Sequence, residues 1–279
     1  WAYLDPDHAI RRARELDKLD RKSPLHGIPW GVKDVIDTAD FPTGQNSPIY
    51  EGNRVGRDAA PVAVVRGSGA LILGKTDTVE FASTGRKAVT RNPYNFAHTP
   101  GGSSSGSGAA VGDYQVHYAF GTQTGGSQIR PASFNGIYGF KPTCNVVSWS
   151  GARQYSPSLD TIGWYGRSAE DLTLVAKAFR LRSVDAFKIP SVKGLKIGLA
   201  YTHNDGKAEP SAREALALAA ERLTSAGALV DEIRFDADFA TLNDAQTFIA
   251  NWEGRAQFLP DYLESYENLH EDFRSKIET

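Results

Sequence analysis

Residues 116–127 read VHYAFGTQTGGS. The first part is a short apolar run suited to a buried strand over Val116–Phe120, and it runs into a loop, Gly121–Ser127, that carries almost no side-chain bulk. A second run, TPGGSSSGSGAAV at 99–111, repeats the Gly-Gly-Ser core and continues through Ala109, Ala110 and Val111 into a predicted helix. Upstream, IPWGVKDV at 28–35 is a predicted strand that carries Lys33 inside an otherwise apolar stretch, where a lysine is least comfortable.

Around these three runs the hydrophobic periodicity keeps alternating. Asp5 and Pro6 form an N-cap and first-turn pair, and Ala9, Ile10, Ala13 and Leu16 recur at helical spacing, which predicts a helix over 6–20. A helix is predicted over 59–67, and a buried strand over 71–74. Further on come a strand over 193–201, an alanine-rich helix over 212–226, a strand over 230–235, and largely helical residues after it. This order implies an α/β layered architecture. The stretch 183–192, with Pro190, is the expected connection between a catalytic core over 1–182 and a continuation of the same domain over 183–279.

Composition narrows the function. The chain has 279 residues, enough for a large core, and a formal net charge of −2 with interspersed signs, so there is no basic stripe for nucleic acid and no polybasic membrane tether. Cys144 is the single cysteine, which excludes an intrachain disulfide and favours the cytoplasm. No apolar run reaches membrane-spanning length, and Trp1 opens neither a basic nor an apolar leader. The sequence contains no Met, and both ends are expected to be truncated. Small-molecule chemistry is the expectation.

The two Gly-Gly-Ser segments each present a hydroxyl on backbone that a substrate can approach closely. Consecutive N–H groups of Thr124, Gly125, Gly126 and Ser127 can converge on one oxygen, as an oxyanion hole requires, and Ser127 is then a natural nucleophile. A serine needs a base, and the contexts of the six histidines suggest no Ser-His-Asp assembly. Lys33 is the other candidate, because burial lowers a lysine pKa by up to ~3–5 pH units. Ser103 would bridge it to Ser127.

GIPWGVKD at 27–34, the run 101–107, and GTQTGGSQIRPASFNGIYGFKPT at 121–143 together resemble the amidase signature family. The match extends from about Gly27 to Leu172, and GGSSSGS, TQTGGS and the later SLDTIG segment are similar to malonamidase-like members. The resemblance implies a mixed, mostly parallel central sheet covered by helices on both faces, with Lys33 as general base, Ser103 as a bridging serine in a cis peptide and Ser127 as the acylated nucleophile. It also implies a serine amidohydrolase that needs no metal or organic cofactor and acts on a small-molecule amide, ester or carbamate, as a urethanase would. Nucleic acid and membrane are not implied as partners, and a homodimer is allowed. Relatives are expected to continue well past Thr279.

Some positions depart from the common pattern. Gln123 replaces a frequent Asp, Asn135 a frequent Cys, and Arg130 falls three residues after the nucleophile instead of two. Arg130 and Gly102 are expected to contact substrate, with the Arg130 fork suited to a substrate carboxylate or to a structural hydrogen bond.

Plainer readings compete. Residues 99–108 alone have the composition of a solvated linker, and the second serine motif reverses that reading. Gly101 and Gly106 are spaced as in a phosphate loop, but Ser107 stands where its lysine belongs, which weakens a nucleotide-binding module. Within the family, the alternative is the amidase-type subunit of a glutamine-dependent amidotransferase, whose usual motif places Arg two residues after the nucleophile. A non-catalytic scaffold is disfavoured by the retained lysine and serines. Cys144 is expected to be a small buried residue, the histidines show no metal-ligand spacing, and Trp149, Tyr155 and Trp164 are expected to fill core or line a pocket.

Overall fold

Asp5 and Pro6 start the first helix by the chemistry expected of them: Asp5 Oδ1 accepts the His8 main-chain N–H at 2.9 Å, and Pro6 sits in the first turn, where its missing N–H costs nothing. The computed structural model describes residues 1–181 and 191–278. Strand β1 (Tyr3–Leu4) precedes helix α1 (Pro6–Leu16), and β2 (Pro29–Lys33), α2 (Ala60–Gly67), β3 (Leu71–Thr76), α3 (Ser105–Gly112) and β4 (Tyr118–Gln123) follow in alternation. After them come α4 (Ile129–Phe134), β5 (Tyr138–Phe140), β6 (Thr161–Gly166) and α5 (Ala169–Ala178). Beyond the undescribed stretch lie β7 (Lys196–Tyr201), α6 (Pro210–Ser225), β8 (Leu229–Arg234), α7 (Leu242–Ser265) and α8 (Glu271–Glu278).

Several boundaries shift from their expected places, two of them for a visible reason. The helix predicted over 6–20 stops at Leu16, because Leu19 is half exposed and the residues around it give a fourth turn no apolar face to bury. The strand predicted to end at Phe120 continues to Gln123, since Gly121, Thr122 and Gln123 pair with Gly163, Ile162 and Thr161 of β6. Most of the expected connection, residues 183–190, lies outside the described residues.

The six-stranded sheet has the order β1-β3-β2-β4-β6-β5. Its centre, β3-β2-β4, is parallel, while β1, β6 and β5 add on antiparallel, so the mixed α/β class holds with the parallel pairing concentrated where the crossovers are. Period-two alternation then sorts the side chains onto two faces. On one, Trp30 stacks on Tyr118, Phe120 lies across from Trp164, and Trp164 stacks on Phe179 at the end of α5. On the other, Ala119 and Tyr165 pack with Ala110 and Val111 of α3 and Ala132 of α4. Helices therefore cover both faces, and Trp164, in a strand that periodicity did not predict, is core.

The described chain divides into two compact units, residues 1–181 with 249–279, and residues 182–248. In the first, residues of α7 and α8 contribute Ala250, Phe258, Phe273 and Ile277 to a cluster with Phe81 and Tyr155. The second pairs β7 with β8 in parallel, with α6 as the crossover between them. No described helix is long and apolar enough to cross a membrane.

Candidate active site

The three parallel strands end together: β2 at Lys33, β3 at Thr76 and β4 at Gln123. The connection from β2 to β3 goes to one side of β2, and that from β3 crosses to β4 on the other. The crevice beyond strand ends at such a reversal is where open α/β sheets place their ligands.

Lys33 occupies the last position of β2 and is completely buried. By strand alternation it shares the face of Gly31, where an added Cβ would touch the Thr76 side chain and Ala119, and this is the face that α3 covers. Its Nζ donates to Ser103 Oγ at 2.8 Å and to Thr122 Oγ1 at 2.6 Å. Burial lowers the Lys33 pKa to about 7, against an opposing pull from the negative charge of Asp160. Near neutrality a substantial fraction of the amine is thus uncharged and able to accept a proton.

Ser103 is buried just ahead of α3, and the peptide joining it to Gly102 is cis. The Gly/Ser run is not a solvated linker. Ser104, Ser105 and Ser107 are buried too, Ser107 Oγ donates to Phe120 O at 2.7 Å, and Ser104 Oγ donates to Thr122 O at 3.2 Å. These hydroxyls satisfy sheet carbonyls where larger side chains would not fit, and they seat the start of α3 against β4.

Ser127 is half-buried at the end of the loop that follows β4. Its carbonyl accepts from Tyr165 OH at 3.2 Å, and no hydrogen bond joins its hydroxyl to that of Ser103. Lys33 and Ser103 are thus brought into direct contact, with Ser127 on the loop beyond. Among the described residues, the N–H groups of Thr124, Gly125, Gly126 and Ser127 bond to no protein acceptor, which leaves them available to an external oxygen. The loop is held at its far end by Gln123, whose Oε1 accepts from Gln128 N at 2.9 Å and Ile129 N at 3.0 Å. A neutral amide thereby satisfies two helix-start donors that a carboxylate would otherwise serve.

The Arg130 guanidinium lies across this loop. Its Nη1 donates to Gly102 O at 3.2 Å, and a Cβ on Gly126 would come within 2.8 Å of its Nη2. No described carboxylate pairs with it. Arg130 therefore braces the backbone that carries one serine against the backbone that carries the other. A cavity of about 540 Å³ opens beside it, lined by Gly101, Gly102, Val79 and Ser105 together with the cations Lys87 and Arg91.

Three participants were not legible in the motifs. Thr122 holds the lysine, yet nothing marks it out among strand residues. Asp160, inside the SLDTIG segment, is buried and is the charge that Lys33 feels. Lys75 is the second fully buried lysine, ion-paired at 3.1 Å with Asp34, the neighbour of Lys33, and donating to Thr43 Oγ1 at 2.7 Å. The carboxylate directly after Lys33 was the available signal for that pair. Cys144 corrects an expectation: it is half-buried instead of core, with Sγ 3.6 Å from the carbonyls of Ser158 and Asp160.

Known proteins share much of this sequence and fold. The chain is 37% identical over 257 residues to a component of the glutamyl-tRNA(Gln) amidotransferase of Acidothermus cellulolyticus, covering 84% of this chain and 51% of that one. It is 34% identical to the corresponding component in Microcystis aeruginosa, covering 99% of this chain and 63% of the relative. Its structure superposes on the native peptide amidase of Stenotrophomonas maltophilia with a TM-score of 0.83 at 29% identity, covering 100% of this chain and 67% of that enzyme. The chain thus spans about half to two-thirds of the length of these relatives. A buried lysine on a serine ahead of a Gly-Gly-Ser loop, on a sheet shared with an amidase and in a sequence matched by the family model named Amidase over residues 1–278, places this chain in the amidase signature family.

Proposed function

We propose that the chain carries the catalytic part of a serine amidohydrolase that cleaves small-molecule amides through an acyl-enzyme. The observation that carries this reading is the contact between Lys33 Nζ and Ser103 Oγ at 2.8 Å, in a place dry enough to bring the amine to about neutrality. Uncharged Lys33 takes a proton from Ser103 as Ser103 takes one from Ser127, and Ser127 Oγ attacks the carbonyl carbon. The alkoxide that forms is met by the unbonded N–H groups of the 124–127 loop. The proton returns along the same path to the departing amine, and water releases the acyl group by the reverse sequence.

Esters and carbamates fit the same chemistry, since only the leaving group differs. Arg130 has donors to spare beyond its bond to Gly102 O, which suits a substrate bearing a carboxylate near the scissile amide. A panel of neutral and carboxylated amides, esters and aryl carbamates, run on wild type, Ser127→Ala and Arg130→Ala, tests both points. Ser127→Ala should cost several orders of magnitude on every substrate. Arg130→Ala should cost more on carboxylated amides than on neutral ones, and equal losses would remove the carboxylate role.

The amidotransferase relatives favour a second reading, in which ammonia is passed on to a partner protein. Arg130 three residues after Ser127, instead of two, counts against it. Release of free ammonia from simple amides by the isolated chain would separate the two.

A further inference from the structure

Asp160 stands outside the proposed triad and is nevertheless tied to both halves of it. It immediately precedes β6 and is 2% exposed. Its Oδ2 accepts from the main-chain N–H of Tyr155 at 2.6 Å and of Ser156 at 2.9 Å, and its Oδ1 accepts from Thr124 Oγ1. Burial raises the Asp160 pKa, and against it all the partners that meet the carboxyl are donors, which with the nearby Lys33 charge favour the ionised form. Thr124 is the first residue of the loop that ends in Ser127. Among the described residues, Asp160 is the charged group whose field reaches Lys33, and Tyr155 is the further titratable side chain whose ionisation Asp160 opposes.

The segment that presents Asp160 is itself pinned. The Asp160 carbonyl accepts from Trp149 Nε1 at 3.3 Å, and Glu253 accepts from Ser156 Oγ and Ser158 Oγ at 2.5 Å each and from Ser158 N at 3.1 Å. A carboxylate held by its own backbone, by its neighbours and by a helix has little freedom to follow the groups it contacts. It acts on them.

We propose that Asp160 is a positioning residue of this site: through Thr124 it fixes the loop carrying Ser127 and the oxyanion N–H groups, and through space its charge acts on the Lys33 amine. This rests on the triad reading above. It divides the carboxylate's influence into two separable parts, a mechanical one through the Thr124 hydroxyl and an electrostatic one.

The test uses phosphonylation of Ser127 by an alkyl phosphonofluoridate, which forms the Ser127 Oγ–P bond, expels fluoride and needs no knowledge of the natural substrate. The rate is followed against pH, with circular dichroism and thermal unfolding as controls of folding. Thr124→Val should slow labelling by about 10²-fold and leave the midpoint of the pH profile where it is. Thr124→Ser should restore the rate. Asp160→Asn should slow labelling and also move the midpoint to lower pH, because removing the negative charge makes the Lys33 ammonium easier to deprotonate. A purely structural role would lower the rate without moving the midpoint. The inference is overturned if Asp160→Asn keeps the wild-type midpoint, or if Thr124→Val labels at the wild-type rate. Where Asp160→Asn fails to fold, the Thr124 pair decides. Labelling that survives Ser127→Ala would instead overturn the triad reading itself.

Discussion

At the scale of single residues, the chemistry turns on where a lysine stops being an ammonium. Lys33 lies below its ordinary pKa, at about 7, because burial penalises the charged form more than the Asp160 charge supports it. As the proposed base, Lys33 is competent only when uncharged, so its competent fraction rises with pH through about 7 and is complete well above it. The kcat/KM of the chain on an amide should therefore climb across the neutral range and level off on the alkaline side, with one ascending limb near pH 7. A flat profile across that range, on a substrate whose chemistry is rate-limiting, would contradict a lysine base. Lys75 is equally buried but its ammonium is paired with Asp34, and no serine hydroxyl bonds its amine. Two buried lysines on adjacent strands thus differ in setting, since Lys75 meets a carboxylate as well as a hydroxyl and Lys33 meets the hydroxyls of Ser103 and Thr122.

At the scale of elements, α3 shows how composition becomes geometry. Its glycines and serines look like linker when counted, but the helix lies so close to the strand ends that anything larger collides. Gly106 N donates to Asp77 O at 2.9 Å, and a Cβ on Gly106 would come 2.4 Å from the Asp77 main-chain nitrogen. Backbone cannot yield as a flexible side-chain tip can. Gly106→Ala should therefore push the start of α3, and Ser103 with it, off the end of β3. We expect a loss of roughly 1–3 kcal/mol in stability, read by denaturant unfolding, and a greater proportional loss of activity than of folded protein. Unchanged rate and stability would mean that α3 has room to spare against Asp77.

At the scale of the whole molecule, long-range polar ties fix the returning C-terminal helices against the rest of the first unit. Arg153 pairs with Asp261 of α7, donates to Gln257 O at 3.1 Å and lies 4.2 Å over the Phe258 ring, while Tyr50 OH also donates to Asp261. Burial and the Asp261 carboxylate push the Tyr50 hydroxyl up to about 12, so it stays a donor across the physiological range. Arg153→Met keeps much of the side-chain bulk but leaves a nearly buried carboxylate without its cation. The expected cost is about 3 kcal/mol, seen as a lowered Tm that partly recovers in Arg153→Met/Asp261→Asn. A single-mutant Tm equal to wild type would assign the pair no part in holding the helices.

Much of this could be read from the chain alone, and the reason is local. Strand and helix alternate because apolar residues recur at periods of two and 3.6, and a Gly-Gly-Ser segment is bulk-free whatever surrounds it, so the layered class could be read, and the two serines and the lysine singled out as candidates, before any fold was known. Boundaries were open only where a neighbour was local: α1 stops short because no apolar face continues, whereas β4 runs on because β6, about forty residues later, pairs with it. What tertiary structure alone decided is protonation and convergence. Lys33 meets Ser103 and Thr122 across sequence separations of 70 and 89 residues, and its pKa falls toward neutrality because burial penalises the charged form. On the proposal above Asp160 joins the site the same way, since an electrostatic effect depends on distance and burial in three dimensions, and neither is written in the spacing of a sequence.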